Sequence, residues 1–341
     1  MSFTPAEDAH AVILPAFDGM MLSDPAKRFL DRGGISILLG ESREEYLARE
    51  MSDTRRGSET AESFLRITDD ARGRSGMLLA AVDQEMGGIC RLHDLVPQFP
   101  APSELPFASE EQISELSMFI ATQAAGMGIN VFLSPILDVL TGSNKWLERR
   151  TWSKDPLLIA RLSAAYIRGV QSGRVAATGK HFPGYSTTTG DPAVDATAIN
   201  PLALSDVKAG LAPFRAAIAA EVELIMVGPA IVTAYDQAKA ALRSKAVVRM
   251  LKETLGFDGV VMADDLDSMA TMRGDSVAAV AIDALNAGCD FLLLADIGTQ
   301  LDEIADAIET ATRSGTISAE ALAKSANKVR HLSRKYEMRK V

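Results

Sequence analysis

Gly259-Val260-Val261-Met262-Ala263-Asp264-Asp265-Leu266 is the stretch on which the fold turns. No polar side chain interrupts it before two carboxylates arrive together. A strand with one wet face alternates apolar and polar residues, whereas a strand covered on both faces reads as a continuous apolar run. Gly259–Met262 is one of eight such runs; the others are Ala11–Phe17, Ile35–Leu39, Met77–Val82, Val131–Leu137, Val175–Thr178, Leu224–Val227 and Cys289–Leu294. Helical signals lie between them. Ser23-Asp24-Pro25 offers an N-cap followed by Pro, and Ser109-Glu110-Glu111-Gln112 reads as a capping box ahead of Ile113–Ala125. Asp155-Pro156 opens an amphipathic stretch that ends at Gly173, and Ser205, Asp236, Asp275 and Ser318 are read as heads of further helices. Eight strands alternating with helices predict an α/β fold, a (β/α)8 TIM barrel spanning residues 1–341 as a single domain. A doubly wound open sheet is the competing arrangement, but the Gly-x-Gly-x-x-Gly of a dinucleotide fold is absent after the first strand.

The 341 residues carry 35 Lys and Arg against 45 Asp and Glu, a net charge of −10. That balance excludes the basic field on which nucleic-acid binding depends, and it disfavours an anionic membrane surface. No apolar run reaches the ~20 residues of a spanning helix. Met1–Asp8 shows neither the basic nor the apolar segment of a secretion signal, and two cysteines do not make a disulfide framework, so the cytoplasm is expected. His10, His93, His181 and His331 lack the spacing of a metal site, and no cofactor motif is present. Neither a metal nor a cofactor is expected.

In a barrel of this kind, chemistry sits at the C-terminal ends of the strands. The residues just past the eight runs are Asp18, Gly40-Glu41, Asp83-Gln84-Glu85, Asp138, Lys180-His181, Gly228, Asp264-Asp265 and Asp296. Any one acid there reads as turn chemistry before it reads as catalytic; so many on one rim point to a site. Asp264 reads as a carboxylate nucleophile with Asp265 as its orienting neighbour, or the pair reads as a turn and a helix cap. Asp83-Gln84-Glu85 offers carboxylates and an amide that suit vicinal hydroxyls. Lys180 and His181 are neighbours in an extended chain, so both meet one ligand only where the backbone bends, and Pro183-Gly184 follows. Trp146-Leu147-Glu148-Arg149-Arg150-Thr151-Trp152 places an Arg where it can clamp oxygens. The polar segment from Tyr185 to Pro201, with Asp191 and Asp195, is expected to be a mobile loop at the barrel mouth.

Taken in order, Asp83-Gln84-Glu85, Leu133–Asp138, Arg150 ahead of Asp155-Pro156, Gly179-Lys180-His181-Phe182-Pro183-Gly184, Leu255–Val261, Asp264-Asp265-Leu266 and Ala287-Gly288-Cys289-Asp290 resemble glycoside hydrolase family 3. The likeness is to its short, single-domain bacterial β-N-acetylglucosaminidase branch. The resemblance implies a retaining exo-β-glycosidase acting on a terminal β-linked N-acetylhexosamine or hexose. It makes Asp264 the nucleophile of a covalent glycosyl-enzyme, and Asp83, Arg150, Lys180 and His181 the residues that hold the sugar. The expected partner is a small carbohydrate or glycoside, with no nucleic acid and no membrane.

The sequence also departs from that branch. Its acid/base element, Asp-Ser-His, reads Asp191-Pro192-Ala193 here, so the His is replaced by Ala. Gly184-Tyr185-Ser186, Gly228-Pro229-Ala230 and Met86-Gly87-Gly88 depart as well. The readings that follow are Asp191 or Asp195 as acid/base, a phosphate-dependent glycosidase or one using activated leaving groups, and a sugar-binding homologue without turnover. A Schiff-base aldolase using Lys180 is the remote alternative, and it requires a depressed lysine pKa.

Overall fold

The computed structural model describes residues 3–101, 103–295 and 300–337; Asp296, read above as a rim residue, lies outside them. All eight apolar runs supply barrel strands. They are β1 (Ile13–Phe17), β2 (Ser36–Leu39), β3 (Leu79–Val82), β4 (Val131–Phe132), β5 (Ala176–Phe182), β7 (Leu224–Val227), β9 (Val260–Ala263) and β10 (Phe291–Leu294). Their hydrogen-bonded order, β1-β10-β9-β7-β5-β4-β3-β2, returns to β1 through parallel pairs, so the sheet closes. The fold is the (β/α)8 barrel expected from the sequence. Two further short strands, β6 (Ile199–Asn200) and β8 (Ile231–Val232), pair with each other above the rim.

The run Val131–Leu137 yields only two strand residues. Pro135 has no N–H to donate to a ladder, yet the chain stays beside β5, since the N–H groups of Thr178 and Lys180 donate to the carbonyls of Ser134 and Pro135. On the other side β5 runs longer than expected, through Phe182. Lys180 pairs with Met226 and Phe182 with Val227, so His181 is the extra residue of a bulge.

Helix starts at Asp24, Glu110, Pro156 and Ala319 follow the expected caps Ser23, Ser109, Asp155 and Ser318. Three expected heads are displaced. Ser205 lies inside the helix Leu204–Ala209. The Asp236 carboxylate accepts N–H groups of Ala238 and Lys239 in a turn, and helical structure begins only at Ala241. Asp275 is one residue early, because Ser276 caps Val277–Ala287 while Asp275 pairs with Arg243. One continuous apolar core runs through the barrel and its helices. Among the described residues, no helix is long and apolar enough to cross a membrane.

Candidate active site

A cavity of about 430 Å³ opens at the C-terminal ends of the strands, within the range typical of small-molecule sites. Its wall includes Glu41 after β2, Asp83 after β3, Lys180 and His181 on β5, and Asp264 and Asp265 after β9. Arg150 and Trp146, from the connection between β4 and the helix Pro156–Ser172, complete the same wall. The bulge at His181 resolves the problem of adjacent residues pointing apart: both Lys180 and His181 line the cavity.

Asp264 is held from behind and left open in front. The Asp265 N–H donates to its Oδ1 at 2.8 Å, while Oδ2 is buried without a hydrogen-bond partner. His181 Nε2 stands 3.9 Å from that oxygen. The imidazole is fixed from its other side, where Nδ1 lies 2.8 Å from Asp138 Oδ2. Asp138 also accepts the backbone N–H groups of His181 and Tyr185, and the Trp146 ring packs on the imidazole with centroids 4.4 Å apart. The carboxylate of Asp138 thus selects the Nδ1–H form and turns Nε2 to the cavity.

Opposite lies a charged cluster. Lys180 Nζ reaches Asp83 Oδ1 at 2.5 Å and Glu85 Oε1 at 2.9 Å. Arg150 grips Glu85 through Nη2 at 2.7 Å and Nε at 3.3 Å. Burial pushes the Glu85 carboxyl up, but Arg150 and Lys180 outweigh it and hold the group far below the usual carboxylate range. Burial likewise presses Lys180 toward neutrality, and Asp83 and Glu85 overcome it, so its pKa is raised. That overturns the Schiff-base reading, which requires a depressed lysine pKa.

The expectation that Asp83-Gln84-Glu85 grips a ligand as a unit is also corrected. Only Asp83 lines the cavity. Gln84 turns inward to accept the Leu92 N–H, and Glu85 serves as the counter-ion beneath Lys180 and Arg150. Gly88 follows from this packing, because a Cβ there would fall 2.0 Å from Glu85 Oε2.

The segment from Tyr185 to Pro201 is tied down rather than free. Pro192 O accepts from Ala270 N–H, and Arg273 donates to Ala196 O, so the loop is fastened to the short helix after β9. Asn200 reaches back to Gly184 O, and Tyr185 is fully buried. Ala193, at the position where the acid/base His was expected, lines the cavity. Neither Asp191 nor Asp195 is among the lining residues. The Asp191 carboxylate accepts the Ala193 N–H, and Asp195 turns to the hydroxyl and N–H of Thr197. Both shape the loop.

Sequence reasoning gave two of the lining residues, Glu41 and Tyr46, no role. Glu41 was legible only as a rim position. Its Oε2 is buried and unpartnered, and burial together with the nearby Asp83 carboxylate raises its pKa to about 8. Asp265 is raised well above the usual range as well, by burial and by Asp264. Tyr46, which accepts a hydrogen bond from Trp146 Nε1 at 2.9 Å, sits on a helix that carries no motif at all.

Comparison with known proteins accords with this geometry. The family model described as "Glycosyl hydrolase family 3 N terminal domain" matches residues 35–332. A protein named Beta-hexosaminidase from Stenotrophomonas maltophilia (strain K279a) is 33% identical over 224 residues, 63% of this chain and 66% of that protein. The Beta-hexosaminidase of Nitrosomonas eutropha is 31% identical over 244 residues, 69% of this chain and 70% of its own. Among solved structures, a glycoside hydrolase family 3 beta-N-acetylglucosaminidase from Paenibacillus sp. str. FPU-7 superposes with a TM-score of 0.88 at 26% identity. It covers 99% of this chain, which spans 63% of that one. The chain thus matches just under two thirds of the Stenotrophomonas and Paenibacillus proteins. A match across nearly the whole barrel, on a rim carrying Asp264 and the Asp83–Lys180–Arg150 cluster, places the chain in glycoside hydrolase family 3.

Proposed function

We propose that this chain is a retaining exo-β-glycosidase that removes a terminal β-linked N-acetylhexosamine or hexose, working in the cytoplasm on small glycosides. One observation carries the reading: the buried, unpartnered Oδ2 of Asp264 faces a cavity shared with a charge-paired cluster suited to sugar hydroxyls. Asp264 attacks the anomeric carbon. The ensuing glycosyl ester is hydrolysed in a second displacement, so configuration is retained. Asp83, pinned by Lys180, accepts hydrogen bonds from hydroxyls, and Lys180 and Arg150 donate to their oxygens. His181, oriented by Asp138, presents Nε2 beside the nucleophile. N-acetylhexosamine is favoured by the names of the relatives.

Release of phenol from activated aryl β-glycosides tests this, measured with and without phosphate. Asp264→Asn should lower turnover by at least about a thousandfold while sugar binding persists. Turnover within tenfold of the parent in that variant would sink the assignment. Ala193, standing where the family has its acid/base His, favours a second reading in which the cavity binds sugar without turning it over; saturable binding with no release from any aryl glycoside is its expected result.

A further inference from the structure

A retaining glycosidase needs a second group, on the far side of the sugar from the nucleophile, to protonate the leaving oxygen and later to activate water. Ala193 supplies no proton, and Asp191 and Asp195 do not line the cavity, each having one carboxylate oxygen held within its own loop. Resting on the glycosidase reading above, we infer that Glu41 is the general acid/base.

Position is the first argument. In the closed barrel, β2 and β9 are three strands apart, with β1 and β10 between them. Glu41 and Asp264 therefore enter the cavity from well-separated walls, and an eight-stranded barrel is narrow enough that side chains from such walls meet one ligand. Asp265 does not satisfy this requirement, since it follows Asp264 on the same wall and spends its N–H on the Asp264 carboxylate. Asp267 is engaged as acceptor of the Ala295 N–H.

Chemical state is the second. Glu41 Oε2 is buried in the cavity wall with no hydrogen-bond partner, an arrangement that costs stability unless a ligand completes it. The group keeps its proton near neutrality because burial and the Asp83 and Glu85 carboxylates disfavour its charge more than Lys180 and Arg150 favour it. A protonated carboxyl and a carboxylate nucleophile sharing one cavity from separate walls are the pair a retaining mechanism uses.

In the first step an Asp264 oxygen bonds to the anomeric carbon as the bond to the leaving oxygen breaks. That oxygen's electron pair takes the Glu41 proton and the alcohol departs, leaving a glycosyl ester and the Glu41 carboxylate. In the second step Glu41 removes a proton from water as the water oxygen bonds to the anomeric carbon. The ester bond breaks, and both carboxyl groups return to their starting states.

The test compares Glu41→Gln and Glu41→Ala with the parent on two glycosides of one sugar, a dinitrophenyl and an alkyl β-glycoside. The alkyl glycoside should lose a factor on the order of 10²–10⁴, whereas the first-turnover burst from the dinitrophenyl glycoside stays within tenfold. Azide added to Glu41→Ala should speed turnover of the dinitrophenyl glycoside and yield a β-glycosyl azide, which also shows that the variant is folded. The fall of kcat/KM above about pH 8 on the alkyl glycoside should vanish in Glu41→Gln. Equal losses on both substrates, with no azide product, would overturn the proposal and leave Glu41 a hydroxyl-binding residue. A parent that releases nothing from any glycoside would overturn the glycosidase reading and this assignment together, whereas an active parent that needs Asp264 but not Glu41 would overturn this assignment alone.

Discussion

Replacing Glu85 with Gln tests the claim that a buried counter-ion holds the cations Lys180 and Arg150 in place. Glu85 is fully buried and its carboxylate meets four donors: Arg150 through two nitrogens, Lys180, and the Ile89 N–H at 3.1 Å. Gln keeps the shape but loses the charge, and its NH2 group must then face either Lys180 or Arg150, donor against donor. Breaking a buried ion pair from one side costs about 3–5 kcal/mol, because the partner charge stays behind uncompensated. Unfolding entropy near 2 cal/mol/K per residue gives about 0.7 kcal/mol/K for 341 residues, so Tm should fall by about 4–7 °C. Scanning calorimetry reads the shift. A second substitution, Lys180→Met, removes one of the stranded charges, so the double variant should lose less than the sum of the two singles. A Glu85→Gln protein melting within about 1 °C of the parent, or strictly additive losses, would refute the view that Glu85 neutralises these cations.

Three further outcomes are expected. Gly228→Ala places a Cβ 2.2 Å from the ring of fully buried Tyr185, so it should cost about 1–3 kcal/mol in urea unfolding. Arg273→Ala removes the clasp on Ala196 O but lies at the surface, so stability should change by less than about 1 kcal/mol while hydrogen exchange over residues 186–198 accelerates. Glu41, with its pKa raised from 4.5 to about 8, binds a proton in the folded state that the unfolded chain has released across that window. Its contribution to stability is therefore full below pH 4.5 and is lost as pH rises toward 8, and urea titrations of Glu41→Gln should show a flatter decline over that range than the parent.

The eight strands were legible because burial on both faces writes itself into a local run of apolar residues, as in Leu224–Val227, whose bounds were read without error. Val131–Leu137 misled because hydrophobicity reports burial but not ladder geometry, and Pro135 ends the ladder while the chain remains covered. Asp236 and Asp275 misled because a capping side chain serves a turn or an ion pair equally well. At the site, Asp264 and Lys180-His181 were visible as polar residues at the ends of apolar runs. The separation of Asp83 from Gln84 and Glu85 was not visible, since three adjacent polar residues beyond a strand look alike until distant partners, Leu92 for Gln84 and Arg150 and Lys180 for Glu85, draw them apart.

From the amino-acid order alone came the α/β class, the rim on which polar residues collect, the placing of Asp264 at the end of an apolar strand, and Ala193 where the family's loop His was expected. These rest on periodicity, on residue type at strand ends and on motif order, all of which are local. Tertiary structure decided that the sheet closes, that Glu85 lies under Arg150 and Lys180, that the loop after β5 is pinned by Ala270 and Arg273, and that Glu41 enters the cavity holding Asp264. Each of those joins segments distant in the chain, and charge, burial and hydrogen bonding act through space, where sequence separation carries no information.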